Sequence, residues 1–428
     1  MAAALVACCL GSSVAAQDAG EIRQLVVERV ELTGEPRTRA EVIQRYLQLT
    51  VGEPLHADAL LAGRKRLSDT GFFQTVDVYA RPGSEKGLVV VVVDVQERRW
   101  PKYRFKGGHG ELDGWYIAPI SFVHDNFSGR GHRLDWQWYL GSHIDGTTLH
   151  YQHPHLFADA AVLDIESFSQ EISFPHFIGG SAIHETVNTH GARVRYTAQR
   201  GRFRSLYGQI RSQSYTAEQN AVLEALLHDD LEKARVTALG LGLRADTRDH
   251  AGHPTRGFWG RAVLEQAIGA GLGDIWFSKL TVDGRWYFPL SERNVAALRA
   301  HGGLVTEDAP FYERYYLGGP NSLRGFDWAE LAPAGWGTRL LSLQSELRFP
   351  FGGEDLSGPR HTGVIYYDLG GIWLPGEVPT PSDLHHSVGL GYRWRLRVLG
   401  MLRFDLSLPV NGIDADVFQL NVSLGHAF

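Results

Sequence analysis

The sequence predicts a mainly β protein. A sixteen-stranded transmembrane β-barrel over residues 98–428 follows one small α+β module, residues 21–97, in the order β-α-α-β-β. Three observations carry this reading. From Trp100 to Phe428 the chain breaks into strand-length pieces of alternating apolar and polar residues, separated by Gly, Asp, Asn and Pro turns. The polar phase of that alternation holds many charges, which a soluble sandwich would have to desolvate and a wide, wet lumen would not. Finally, Gly 49, Trp 11, Tyr 16 and Phe 20 coexist with a mean hydropathy of -0.19. Strands with one greasy face, one polar face and aromatic girdles give that combination. No apolar run reaches about eighteen residues, which excludes a spanning helix of the usual kind.

The first segment, MAAALVACCLGSSVAAQ, is short and apolar and ends in the small-residue pattern Val14-Ala15-Ala16, so residues 1–16 read as a signal peptide. It lacks a basic n-region, which places the expected start slightly upstream. Leu5-Val6-Ala7-Cys8 has the look of a lipoprotein box, but the apolar stretch before it is too short. Cys8 and Cys9, the two cysteines, both fall here, so the mature chain is expected to carry no thiol or disulfide chemistry.

Within the module, Gln24–Leu32 reads as a strand closed by the turn Thr33-Gly34. A helix over Arg39–Leu49 carries the stripe Val42, Ile43, Tyr46 and Leu47, and a second, Ala57–Ser68, places Leu60, Leu61 and Leu67 on one side. Gly71-Phe72-Phe73 then opens a strand over Thr75–Arg81, and Leu88–Val95 is rich in β-branched residues.

Sixteen strands are expected to begin near Trp100, Trp115, His132, Thr147, Ala161, Glu185, Arg202, Arg235, Gly257, Ile275, Asn294, Thr338, Gly363, His385, Met401 and Val417. The last is the clearest. In Val417–Phe428 the residues Phe418, Leu420, Val422, Leu424 and Phe428 share one parity, against Gln419, Asn421, Ser423 and Gly425. Leu402, Phe404, Leu406 and Leu408 alternate likewise with Arg403, Asp405 and Ser407. Between Leu341 and Phe349 the inward phase is Ser342, Gln344, Glu346 and Arg348.

Two motifs bear on function. Tyr316–Phe326, YLGGPNSLRGF, sets Arg324 in a turn whose Gly318, Gly319, Pro320 and Gly325 let the backbone double back. Val364–Gly371, VIYYDLGG, is a strand whose parity points Tyr366, Asp368 and Gly370 inward and Ile365, Tyr367 and Leu369 toward lipid. An arginine and a lumenal carboxylate can form a bidentate, charge-assisted pair. Asp368 is the first candidate partner for Arg324; Glu346 is the second. Leu323 and Phe326 would wedge the loop tip against the wall.

These motifs resemble the sixth-loop LRGF/VRGF motif and its partner strand in the BamA/TamA superfamily, whose members insert proteins into the bacterial outer membrane or pass them across it. The segment Asp246–Gln266 resembles a further family pattern, in which Asp246, Arg248, Asp249 and Pro254 read as structural. The module before the barrel resembles a POTRA domain. The resemblance implies a bacterial surface antigen barrel in a Gram-negative outer membrane with the POTRA domain in the periplasm. It also implies that Leu323, Arg324, Gly325, Phe326, Asp368, Gly370 and Glu346 form a loop clamp, and that Phe428 ends an insertion signal. The first and last strands, marked by Trp100 and Phe418, would form a seam that opens, softened on one side by Gly110 and Gly114.

The expected partners are unfolded outer-membrane or secreted polypeptides, which an exposed POTRA sheet edge would bind by β-augmentation. Outer-membrane lipids and an inner-membrane-anchored periplasmic protein complete the set. One module favours an accessory TamA-like factor; the alternatives are a passive porin-like channel with a vestigial POTRA domain and a two-partner secretion transporter. The net charge of -6 argues against nucleic acid. With no nucleophile elbow or phosphate loop, no enzyme activity, catalytic residue or cofactor is expected. His150, His153 and His155 read as a turn broken by Pro154, so no metal site is expected.

Overall fold

The computed structural model describes residues 25–34, 37–110, 114–157, 160–201, 203–218, 233–355, 358–396, 400–411, 417–425 and 428. The proposed signal peptide lies outside these residues. The chain falls into two compact units. One comprises the described residues to Arg99 with the turn Ser128–Gly131, and the other Trp100–Phe127 and the described residues from His132 onward.

In the first unit, β1 (Val26–Thr33), α1 (Ala40–Leu47), α2 (Ala57–Asp69), β2 (Phe73–Pro82) and β3 (Leu88–Glu97) follow one another. The sheet has the order β1-β3-β2, with β1 parallel and β2 antiparallel to β3. The central β3 is buried along Val89–Val93, which is why it reads as an unbroken β-branched run. Val27, Val42, Ile43, Leu47, Leu67, Phe72, Phe73 and Val76 join it to make the core. The two helices approach at Gly63, where a Cβ would lie 3.0 Å from both the side chain and carbonyl of Leu47. Arg66 donates to the carbonyls of Tyr46 and Leu47 at 2.8 and 2.7 Å, satisfying the free end of α1. One expectation is corrected here. Leu61 is exposed, because the close helix contact runs through Gly63 and Leu67 and turns Leu61 outward.

The second unit is one antiparallel sheet of sixteen strands. The strands are β4 (Lys102–Gly110), β5 (Gly114–Phe127), β6 (His132–Gly141), β7 (Ile144–Pro154), β8 (Ala161–Ile178), β9 (Ser181–Gln199), β10 (Arg204–Ala217) and β11 (Lys233–Asp246). They continue as β12 (Gly257–Ala267), β13 (Phe277–Pro289), β14 (Val295–Val305), β15 (Arg339–Asp355), β16 (Gly358–Trp373), β17 (His385–Leu396), β18 (Gly400–Pro409) and β19 (Gln419–Leu424). Each pairs with its neighbour in sequence. The end strands β4 and β19 lie side by side, with no ladder between them among the described residues. A sheet curled this far hides one face and shows the other. On β15, Leu341, Leu343 and Leu347 are exposed, whereas Ser342, Gln344, Glu346 and Arg348 are buried. On β16, Ile365 and Tyr367 face out and Tyr366 and Asp368 face in.

The C-terminus departs from expectation. The last strand stops at Leu424, followed by Gly425 in the left-handed region at φ +93°. Phe428 therefore does not extend the outward row of Leu420 and Val422. It is buried with Tyr287, Val295 and Ala297, and Arg348 Nη2 donates to its carbonyl oxygen at 3.3 Å.

A buried loop and its charged wall

Between β14 and β15 the chain makes its longest described connection, residues 306–338, and this segment is mostly buried. A short 3-10 turn, Phe311–Glu313, opens it. Leu317, Leu323, Phe326, Ala329, Ala332 and Trp336 from the loop share one apolar cluster with Phe174, Val187, Tyr215, Val236 and Phe277 of the strands. The indole Nε1 of Trp336 donates to the Pro175 carbonyl at 3.2 Å. The loop is thus packed into the barrel as a second core.

At its tip sits Arg324, fully buried. Its Nε donates to Asp368 Oδ2 at 2.6 Å and its Nη2 to Asp368 Oδ1 at 2.7 Å, a bidentate fork. Nη1 donates to Glu346 Oε1 at 2.6 Å, and the backbone N–H to Asp368 Oδ2 at 3.3 Å. The guanidinium lies 3.5 Å from the centre of the Tyr366 ring. Strand register brings the two acids together, since Gln344 pairs with Asp368 and Glu346 with Tyr366 on the facing strand.

Two glycines make the fit. Gly325 holds φ +92°, and a Cβ there would stand 3.2–3.3 Å from those of Ser407 and Ser387. At Gly370 a Cβ would meet Leu323 Cδ1 at 2.9 Å and Leu317 Cδ1 at 3.1 Å, so the bare backbone makes room for the loop's apolar side chains.

Sequence reading missed the extent of this network. Arg348 contacts Glu346 at 2.8 Å, Arg393 contacts Asp405 at 2.7 Å and Glu346 at 3.4 Å, and Arg403 contacts Asp405 at 3.0 Å. The turn before Arg324 is gripped as well. Arg403 Nη2 donates to the Pro320 carbonyl at 2.6 Å and to Asn321 Oδ1 at 2.8 Å, and Arg299 Nη1 donates to the Asn321 carbonyl at 2.7 Å. The inward parity of Arg403 and Asp405 was the available signal, but only the curl of the sheet brings β18 to the loop.

The remaining candidates are placed elsewhere. Trp100 precedes β4 and stacks on His124 at 5.3 Å, and Phe418 precedes β19 and is exposed; no ladder joins their strands among the described residues. His150 pairs with Asp164 at 3.1 Å, while the His153 ring lies 4.0 Å from that of His132. No group of three or more His, Cys, Asp or Glu suited to a metal occurs among the described residues. In the turn after β11, Asp246 accepts from Arg248 Nη2 at 2.9 Å. Asp249 accepts from the Thr255 hydroxyl and from the backbone N–H groups of Thr255, Arg256 and His250. Partial burial alone would raise the Asp249 carboxyl, but these hydrogen bonds outweigh it and hold it at about 2.

Residues 126–428 match the family described as the Omp85 superfamily domain, and residues 25–98 match the POTRA family described as surface antigen variable number repeat. The chain is 24% identical over 417 residues to the outer membrane protein assembly factor BamA of Nitratidesulfovibrio vulgaris, covering 91% of this chain and 49% of that protein. It is 23% identical over 461 residues to the chloroplastic protein TOC75 of Pisum sativum, covering 93% and 55%. The chain thus spans about half the length of the curated relatives it matches. In fold it is similar to the crystal structure of BamA from Haemophilus ducreyi lacking POTRA domains 1–3, with a TM-score of 0.81, 18% identity, and coverage of 95% of this chain and 85% of that one.

Proposed function

Because this chain belongs to the Omp85 superfamily, we propose that it assembles or translocates polypeptides in the outer membrane of a Gram-negative bacterium. The observation that carries the reading is the seam. From β4 to β19 every consecutive strand pair is laddered, and β4 and β19 are not laddered to each other among the described residues. In lipid an unpaired backbone group costs several kcal/mol, roughly what an edge strand recovers by pairing with another chain. An incoming client strand supplies that pairing.

In this proposal residues 1–16 are a signal peptide, 21–97 lie in the periplasm and 98–428 span the membrane. The clients are unfolded outer-membrane or secreted polypeptides received by the POTRA sheet edge; outer-membrane lipids surround the barrel, and catalysis has no part. The packed loop favours this reading over a passive porin-like channel. An accessory TamA-like role is the finer form of the proposal. Copurification of an inner-membrane-anchored periplasmic protein supports it, whereas a single exported client points to two-partner secretion.

A photocrosslinking residue at Leu420, exposed on β19, tests the class. It should capture nascent outer-membrane proteins, and the same residue at the equally exposed mid-sheet Leu241 should not. Equal capture at both positions, or none at either, overturns the reading.

A further inference from the structure

The loop is held at a second place, and there the charges are reversed. Glu313, which ends the 3-10 turn, is 4% exposed and receives a bidentate fork from Arg211 of β10, Nη1 to Oε1 at 2.7 Å and Nη2 to Oε2 at 3.0 Å. Tyr215, on the same strand, donates its hydroxyl to Oε1 at 2.8 Å. From β13, Lys279 Nζ donates to the Glu313 carbonyl at 2.6 Å and stands 3.6 Å from Oε2. Arg211 is itself braced by Glu265 of β12, which accepts from Nε at 2.9 Å. Two cations and two anions balance, so the group is neutral as a set.

At the tip, then, the loop offers a cation to acids of the wall; at its base it offers an anion to wall cations. The two sites sit on different strands, β15 and β16 for Arg324 and β10 and β13 for Glu313. Swapping the ends of the loop would bring like charges together at both, which makes the arrangement self-registering. The Glu313 site also lines a lumenal cavity of about 400 Å³ together with Arg193, Arg195 and Tyr312.

We propose that Glu313 is a positioning residue, the acidic anchor of a two-anchor loop whose base and tip are released independently. Arg211 and Lys279 are its receptors. This goes beyond the reading of the chain as an assembly or translocation factor and depends on it only for its consequence to clients. Releasing the base while Arg324 stays pinned leaves the loop hinged at its tip and opens the lumen beside β10. Releasing the tip alone leaves the base in place.

The test uses the full chain refolded in liposomes, with single nitroxide labels. Cysteine occurs only at Cys8 and Cys9, so a preparation begun at Gln17 offers one attachment site at a time. Asp308→Cys reports the base and Asp327→Cys the tip; both positions are exposed. In Glu313→Gln the label at 308 should lose its immobilised component while that at 327 keeps it, and Arg324→Ala should do the reverse. Adding Arg211→Gln to Glu313→Gln should mobilise the 308 label no further, since the pair is already broken. Should Glu313→Gln fail to give a heat-shifted barrel on gels, Tyr215→Phe, which removes one hydrogen bond to the same carboxylate, is read in its place. Labels that mobilise together in every variant, or a 308 label unmoved by loss of the Glu313 charge, overturn the proposal. The labels need no client, so failure of the anchor and failure of the assembly reading give different results: the first leaves the 308 spectrum unchanged, the second leaves Leu420 uncrosslinked.

Discussion

The two units share an apolar interior, but only the barrel adds a buried network of charges to it. In the N-terminal unit Val27, Ile43, Leu47, Leu67, Phe73, Val91 and Val93 are buried, and water drives them together. In the barrel, at and around the loop tip, the buried groups include Arg324, Glu346, Asp368, Arg393, Arg403 and Asp405, while leucines such as Leu241, Leu243 and Leu390 lie on the outer surface. A barrel in lipid carries apolar side chains on its outer face, so beside the apolar cluster that seats the loop its lumen holds charged groups that recognise each other individually. Apolar packing tolerates substitution by similar volumes. A fork between a guanidinium and a carboxylate does not.

The largest expected effect follows from that contrast. Arg324→Ala leaves Asp368 and Glu346 without their shared cation in a site closed to water, a loss of about 3–5 kcal/mol to the packed loop state. The barrel should still insert, because its ladders are untouched, but protease should reach the loop and client assembly should fall. Arg324→Lys should rescue poorly, since an ammonium cannot span Asp368 and Glu346 as a planar fork does. A double-mutant cycle with Asp368→Ala decides whether the contact matters. Strictly additive effects on loop protection would mean the residues are uncoupled.

Next comes the apolar interior. Leu47 is wholly buried between α1 and α2, so Leu47→Ala should destabilise the N-terminal unit by about 2–5 kcal/mol, the sum of lost transfer and a residual cavity. Limited proteolysis of the full chain should then cleave residues 25–97 while the barrel keeps its heat-shifted mobility. A barrel that loses its shift at the same time would mean that the units do not fold separately.

How far these interiors could be read from sequence differs for the same reason. Strand parity is local, so His132, Ala161, Gly257 and His385 are each the first residue of the strand expected there, and the inward face of β16 follows from the alternation of Val364–Gly371 alone. The pairing of Arg324 with Asp368 was legible because the family resemblance joined a turn motif to a strand motif, and Glu346 followed from the inward parity of the neighbouring strand. Glu313 was not, since it sits in a loop without periodicity and its partner Arg211 lies 102 residues away. Phe428 was misplaced for a third reason: period-two counting assumes a continuing strand, and Gly425 at φ +93° ends it.

A third prediction places a leucine of the outer face against Leu47. Leu241 is 65% exposed and faces lipid in this reading. Leu241→Ala loses transfer free energy from water, about 2 kcal/mol at most, but leaves no cavity, because lipid chains close over the site. Urea titrations of folding into vesicles should therefore show a smaller loss than Leu47→Ala gives in the N-terminal unit. A loss of equal size would mean that Leu241 is packed against protein.

The smallest effect is confined to one turn outside both interiors. Asp249 closes the turn between β11 and β12 by accepting hydrogen bonds from Thr255, Arg256 and His250, and these lower its carboxyl from 3.8 to about 2 despite partial burial. A carboxyl whose folded value lies below its unfolded one stabilises the folded turn at any pH above the unfolded value. That contribution fades as pH drops below 3.8 and is gone once the folded value near 2 is passed. At neutral pH the turn is therefore at full strength, and mild acid to about pH 5 should leave it unchanged. Asp249→Asn keeps one acceptor oxygen but removes the charge, so it should mimic the acid state at every pH. The measurement is protease sensitivity of residues 247–256 from pH 7 downward, read against the variant. Onset of sensitivity in the unmodified chain well above pH 4 would mean that Asp249 does not control the turn.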